Sequence, residues 1–213
     1  YAVVANGSPV YAEELEYDAL GRISRKVETL VGSTVTFDYS YDAKGQLVEV
    51  QYDDVVEESY VYDPNGNRIA ATTDGSSITA TYDVQDRLLS YGPATFTHTA
   101  SGRLATRTSP GGTTTYSYDA AGALLAVNHP VDPDITYQLD TGLRRVARDV
   151  DGVAAERFLY SGSRPIAQLD DLGNLISRYV YAGGVAPAYM IHGGVAYRLI
   201  TDHAGSVRLV GKL

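Results

Sequence analysis

The chain contains no cysteine and no tryptophan, a single methionine and only three phenylalanines. Without cysteine there is no disulfide framework, no thiolate nucleophile and no sulfur ligand for a structural zinc. Positive charge is also short. Three lysines and fourteen arginines face 26 acidic residues, for a net charge of −9 and a pI of about 4.8. That balance argues against a nucleic-acid or anionic-membrane surface. No apolar run approaches the roughly 18 residues that a membrane-spanning helix needs, and no signal-peptide pattern is present. The sequence opens at Tyr1 and closes in "VGKL", ends that are expected to be cuts in a longer protein.

Chemical candidates are equally sparse. His98, His129, His192 and His203 do not pair at metal-ligand spacing and are expected on the surface or in turns. Asp202 and His203 are adjacent, so on a strand they would point to opposite faces rather than act as an acid–base pair. Asp63, Asn65 and Asn67 alternate like the start of a calcium loop, but the glycine is misplaced and no bidentate Glu follows. Asp132 and Asp134 are expected to be solvated loop acids. The expectation is a chain with no catalytic residue, no metal and no cofactor.

What is abundant is tyrosine, 18 of them, and one recurring phrase. "YDALGRI" begins at Tyr17, "YDAKGQL" at Tyr41, "YDPNGNRI" at Tyr62 and "YDAAGALL" at Tyr118. "YDVQDRLL" at Tyr82 puts Asp86 where glycine is expected, and "HTASGRL" at His98 keeps only the glycine and the leucine. Looser copies are "LDDLGNLI" at Leu169 and "TDHAGSV" at Thr201. From Tyr17 to Tyr118 the steps are 24, 21, 20, 16 and 20 residues, the signature of repeat architecture.

Upstream of each phrase the sequence alternates. Val35, Phe37, Tyr39 and Tyr41 oppose Thr36, Asp38, Ser40 and Asp42; Ile78, Ala80 and Tyr82 oppose Thr79, Thr81 and Asp83. Period two in β-branched and aromatic residues predicts strands with one face buried. Asp-x-x-Gly then ends the strand. Asp suits the first position of a type I turn, Pro the second, and Gly the fourth, where φ turns positive and a bulge closes the hairpin. The predicted corner residues are Asp18 and Gly21, Asp42 and Gly45, Asp63, Pro64 and Gly66, Asp119 and Gly122, Asp170 and Gly173, and Asp202 and Gly205. Asp149–Gly152 is read the same way. Other turns are expected at Val31, Asp53, Thr73, Tyr91 and Ser109, with a wider loop in "HPVDPD". The prediction is therefore all-β: about twenty strands of six or seven residues in one antiparallel meander, too long to stay flat and so expected to curve or spiral. No convincing helix is found; "SPVYAEELEYDALG" alone has helix-friendly composition.

These residues resemble the YD-repeat, or Rhs, family. The resemblance covers nearly the whole chain and is strengthened by Arg178–Val210, where "DHAGS" and an aliphatic run look like the lead into the family's core region. It divides the chain into regular repeats (1–127), degenerate repeats (128–177) and a core-like start (178–213). It implies a segment of a hollow β-shell in a secreted or cell-surface protein. In the family that shell encloses a C-terminal toxin or forms part of a large adhesion receptor; the partner here would be a C-terminal toxin domain lying, with the family's self-cleaving region, beyond Leu213.

Two surface expectations complete the reading. Tyr39, Tyr41, Tyr60, Tyr62, Tyr82, Tyr116 and Tyr118 form either a glycan-binding ladder or a packed face, and their phase with Val35, Phe37 and Ile78 favours packing. Arg22, Arg68 and Arg103 are placed to pair with corner aspartates of adjacent hairpins. Cut from its neighbours, the segment is expected to self-associate, by edge pairing through the apolar runs Tyr1–Val4 and Val207–Val210 or by face-to-face packing of the sheet.

Overall fold

The structure, a computed structural model, describes residues 2–5 and 8–213. The described residues form twenty-one strands and no helix. They fall into two compact units, Tyr1–Pro93 and Ala94–Leu213. Of the apolar run at Tyr1–Val4, Tyr1 lies outside the described residues.

The first unit holds β1 (Ala2–Ala5), β2 (Ser8–Tyr17), β3 (Ile23–Leu30), β4 (Ser33–Tyr41), β5 (Leu47–Tyr52), β6 (Val55–Tyr62), β7 (Arg68–Thr73), β8 (Ser76–Tyr82) and β9 (Leu88–Tyr91). Each strand pairs antiparallel with the next. The second holds β10 (Ala94–His98), β11 (Leu104–Ser109), β12 (Gly112–Tyr118), β13 (Leu124–Asn128), β14 (Ile135–Leu139), β15 (Arg145–Val150), β16 (Val153–Ser161), β17 (Arg164–Leu169), β18 (Leu175–Val180), β19 (Tyr189–His192), β20 (Val195–Thr201) and β21 (Val207–Lys212). It follows the same rule. Each unit is thus a meander, the topology that short turns at a regular spacing impose.

Alternation sorts the two faces. In the first unit Tyr39 stands opposite Val50, Val50 opposite Glu58, Tyr60 opposite Ala71, and Ala80 opposite Tyr91, so all of them share one face. That face holds the buried Tyr11, Val50, Ala71 and Ala80. It is not purely apolar: Glu13 and Glu28 are also buried there and stand opposite each other. Lys26 Nζ lies 3.3 Å from Glu28 Oε2 and 4.0 Å from the centroid of the Phe37 ring. The other face carries Thr36, Asp38, Ser40 and their like. Strand β2 shows how pairing overrides propensity. Its "AEELE" run is ordered as a strand against β3, with Tyr11, Glu13 and Leu15 on the tyrosine face.

Two features of the sequence reading change. Asp149 is not a turn residue; it lies inside β15, where Arg157 Nη1 sits 2.6 Å from its Oδ1. The reversal there is made by Asp151 and Gly152, with φ of 50° and 75°, the two-residue geometry that matches strand twist. Asp170, by contrast, does turn the chain, but between β17 and β18. In an antiparallel meander that puts it on the opposite edge from Asp119, Asp140 and Asp202, which join β12 to β13, β14 to β15 and β20 to β21. The repeat changes phase within the second unit, a shift that composition does not reveal.

Candidate functional site: the linked corners

Each Asp-x-x-Gly corner is built the same way. At Asp18 the backbone N–H donates to the Arg22 carbonyl at 2.9 Å, and the Gly21 N–H returns to the Asp18 carbonyl at 3.0 Å. The Asp18 carboxylate fills the gap between them, accepting from the N–H groups of Leu20 (2.9 Å) and Arg22 (3.0 Å). Gly21 has φ of 77°, which closes the bulge. The other corners repeat this: Asp42 accepts from Lys44 and Gln46, Asp63 from Asn67, Asp119 from Gly122 and Ala123, Asp170 from Leu172 and Asn174, and Asp202 from Ala204 and Ser206. Gly45, Gly66, Gly122, Gly173 and Gly205 all have positive φ, and Pro64 occupies the second corner position. Thr99 does Asp's work at His98, its Oγ1 accepting from the Arg103 N–H at 3.1 Å.

At five corners the fourth residue after the Asp adds a side-chain bond. Arg22 Nε donates to Asp18 Oδ2 at 2.7 Å, Arg87 to Asp83 at 2.6 Å and Arg144 to Asp140 at 2.6 Å; Asn67 and Asn174 do the same for Asp63 and Asp170. Together with the backbone N–H of the same residue, which is the larger cause at Asp18, these bonds hold the five aspartates below the ordinary carboxylate range. Asp83 falls to about 2, through the Arg87 side chain first and its backbone N–H second. The arginines therefore do not bridge to aspartates of neighbouring corners as the sequence reading expected. Hairpin closure brings the fourth residue directly beside its own Asp, and what the next corner offers is a ring and carbonyls. Arg22 lies over the Tyr41 ring at 4.4 Å, Arg103 over Tyr118 at 5.9 Å, and Arg144 over Tyr160 at 5.2 Å; Arg103 Nη2 also donates to the Ala121 carbonyl at 3.2 Å. Arg68 is one position further on and stacks on Tyr60 instead, at 5.0 Å.

The tyrosine of the YD pair explains why the repeat is a pair. The hydroxyl of Tyr41 donates to the carbonyl of Ile23 at 2.7 Å, Tyr62 to Leu47 at 2.7 Å, Tyr82 to Arg68 at 3.0 Å and Tyr118 to Leu104 at 2.9 Å. Every acceptor is the fifth residue after the previous corner's first position, where the chain has just left that corner. The aspartate closes its own corner, and the tyrosine beside it fastens that corner to the one before. Sequence reasoning missed three parts of this series. Tyr160 bonds to Arg145 and Tyr181 to Pro165, both at 2.9 Å, and Asp140 closes a corner whose left-handed position is Leu143, with φ of 58°. Its signal was present in Arg144, four residues after Asp140 as Arg22 is after Asp18.

The remaining tyrosines, Tyr39, Tyr60 and Tyr116, are half-buried on the strands. Burial and neighbouring Tyr52 push the Tyr39 hydroxyl up to about 12, and burial followed by a hydrogen bond to Glu58 pushes Tyr60 up to about 12. Beside them Tyr52, Glu57, Glu58, Thr73 and Asp74 line a cavity of about 290 Å³. The Glu57 carboxyl is raised by its hydrogen bond with Asp74. Among the described residues no group of three or more acids and histidines is arranged to hold a metal ion, and no helix is long and apolar enough to cross a membrane. Asp134 caps the loop after β13 by accepting from the His129 N–H at 2.9 Å, and His203 lies in the turn that Asp202 closes. His192 Nδ1 and the Ser177 hydroxyl are 2.8 Å apart across β18 and β19, a nucleophile–base distance. Ser177, however, is 1% exposed, which denies it a substrate.

A meander whose successive hairpins are fastened through side chains is a wall assembled from repeats. The chain belongs to the Teneurin YD-shell family, whose model matches residues 1–212. Human teneurin-4 is 28% identical over 211 residues, which cover 93% of this chain and 7% of that protein. The tRNA nuclease WapA of Bacillus subtilis is 30% identical over 148 residues, covering 66% of this chain and 6% of its own length. Teneurin-m of Drosophila melanogaster is 31% identical over 117 residues, covering 54% and 4%. The chain thus spans no more than 7% of the length of each of these relatives. Among solved structures, the crystal structure of TcdB2-TccC3-Cdc42 aligns over 98% of this chain and 17% of that one, at 15% identity and a TM-score of 0.37.

Proposed function

We propose that this chain is a wall segment of a closed YD-repeat shell, in a secreted or surface-displayed parent protein, and that the shell encloses a C-terminal toxin domain of that parent. The observation that carries this reading is the series of tyrosine fasteners. Six hydroxyls that a binding surface would present to a ligand are each donated to a backbone carbonyl of the preceding repeat. Such a surface is organised for continuity. The wall performs no catalysis and takes no cofactor. The test is limited proteolysis of the parent protein with its C-terminal domain in place. That domain should resist cleavage, and should become susceptible when Tyr41, Tyr62 and Tyr82 are changed together to Phe. Equal cleavage in both proteins would contradict enclosure.

A second reading is supported by one observation. Tyr52 and the acids Glu57, Glu58 and Asp74 line an open cavity on a tyrosine-rich sheet, a setting suited to carbohydrate or to a basic protein surface. Glycan-array binding by the isolated segment, abolished by Tyr52→Ala, would favour it over the wall. Self-association is proposed as a property of the cut segment. Among the described pairings β21 is bonded on one side only, and Val207 and Val210 are about half exposed. Sedimentation of the segment at micromolar concentration should show dimers or larger species.

A further inference from the structure

The corner at Asp63 holds a chemically labile pair. Asn65 is exposed and is followed by Gly66, the one Asn-Gly pair among the described residues. Gly66 has no side chain to shield its backbone nitrogen, and its φ is 95°. Two restraints lie on this pair. The Gly66 N–H donates to the Asp63 carbonyl at 3.1 Å. The Asn65 side-chain amide donates to Asp86 Oδ1 at 2.9 Å, and Asn67 Nδ2 donates to the same oxygen at 2.7 Å. Asp86 is the residue that replaces glycine in the next corner, where it accepts a φ of 60°. A glycine there would be conformationally easier, so the aspartate has a local cost that its two bonds to the preceding corner offset.

We propose that Asn65 is a site of spontaneous deamidation that Asp86 holds in check, and that its conversion removes one of the links between this corner and the next. The chemistry needs only water. The Gly66 backbone nitrogen, giving its proton to solvent, attacks Asn65 Cγ; the side-chain nitrogen leaves as ammonia, and a five-membered succinimide forms. Water opens either carbonyl of that ring, giving aspartate or isoaspartate at position 65. The attack requires the Gly66 N–H to leave its turn bond and the Asn65 amide to leave Asp86, so the rate follows transient opening of the corner. The product places a carboxylate where an amide had donated to Asp86. An attraction becomes a repulsion between like charges, and the isoaspartate form also lengthens the backbone between the two hydrogen bonds that close the turn.

The test compares the intact chain, its Asp86→Gly variant and a free peptide spanning residues 60–70, incubated together in mildly alkaline buffer and read by peptide mapping for conversion at residue 65. Asp86→Gly keeps the turn conformation accessible, so folding is retained, which circular dichroism checks. Conversion should be fastest in the peptide and slowest in the intact chain. In the variant it should exceed the intact chain by about fivefold, the effect of one ordinary hydrogen bond on an opening equilibrium. Conversion of the peptide with none in either protein would overturn the site. Equal rates in the two proteins would overturn the role of Asp86.

Discussion

Up to β16, beyond which the repeat changes phase, the two edges of each meander solve the same problem in different ways. On one edge the Asp-x-x-Gly corners use side chains: a carboxylate caps the turn, the fourth residue clasps that carboxylate, and the next tyrosine ties the corner to its successor. On the other edge the two-residue turns rely on backbone conformation, with the Asp53 and Asp151 carboxylates accepting from the Thr36 and Asp134 N–H groups at 2.9 and 2.8 Å. Val31-Gly32, Asp53-Asp54, Asp74-Gly75 and Asp151-Gly152 all take positive φ at both positions. Their tips leave Val31 68%, Val55 59% and Val153 69% exposed. Val31 is β-branched and in the left-handed region, an uncommon and strained placement. The comparison teaches that the corner edge ties successive repeats through tyrosine hydroxyls, while the turn edge ties them through backbone bonds and, at Asp53 and Asp151, through a turn carboxylate.

The largest effect expected from breaking this contrast is at a corner glycine. Gly122 has φ of 94°, and an added Cβ would collide with the Arg103 guanidinium that links its corner to the previous one. Gly122→Val should destabilise the chain by about 3 kcal/mol in urea titration. Gly111 on the turn edge has open space around it, and Gly111→Val should cost markedly less. Next comes the fastener. Tyr62→Phe removes the bond to the Leu47 carbonyl and should cost about 1 kcal/mol. Tyr17, 58% exposed, should tolerate the same change within about 0.5 kcal/mol. A smaller change of opposite sign sharpens the turn side. Val31→Asn relieves the left-handed valine and should stabilise by about 0.5 kcal/mol. The smallest effects are titrations. With the Asp83 pKa lowered to about 2, its contribution is present above the unfolded carboxylate range near pH 4 and disappears as pH falls through about 2. Tyr39 and Tyr60, raised to about 12, contribute fully below pH 10 and are lost as pH rises through about 12. Stability measured by denaturant across pH should therefore decline at both extremes.

Much of this wall was legible in the sequence because its information is local. Asp, Pro, Asn and Gly at Asp63–Gly66 state a turn by their own conformational preferences, and Val35 to Tyr41 state a strand by alternation. What was not legible depends on pairing. Nothing in the string says that Tyr62 reaches back fifteen residues to Leu47, because the acceptor is a backbone carbonyl and every residue has one. Arg22 was assigned to a neighbouring hairpin because its own Asp18 becomes its partner only when the corner closes. The phase change at Asp170 was hidden for a similar reason: the same motif turns the chain on either edge, and only the number of strands between corners decides which. Leu143 escaped because a leucine in a left-handed corner position has no compositional mark.

The central claim is that the YD tyrosine fastens one corner to the preceding one. Native-state hydrogen exchange of Tyr62→Phe, resolved at single amides, tests it most directly. Protection should be lost at Gly66, in the corner Tyr62 enters, and equally at Gly45, in the previous corner whose exit carbonyl it holds. Asp74 on the turn edge should exchange as before. Loss confined to Gly66, with Gly45 unchanged, would show that the tyrosine serves only its own hairpin and would contradict the account.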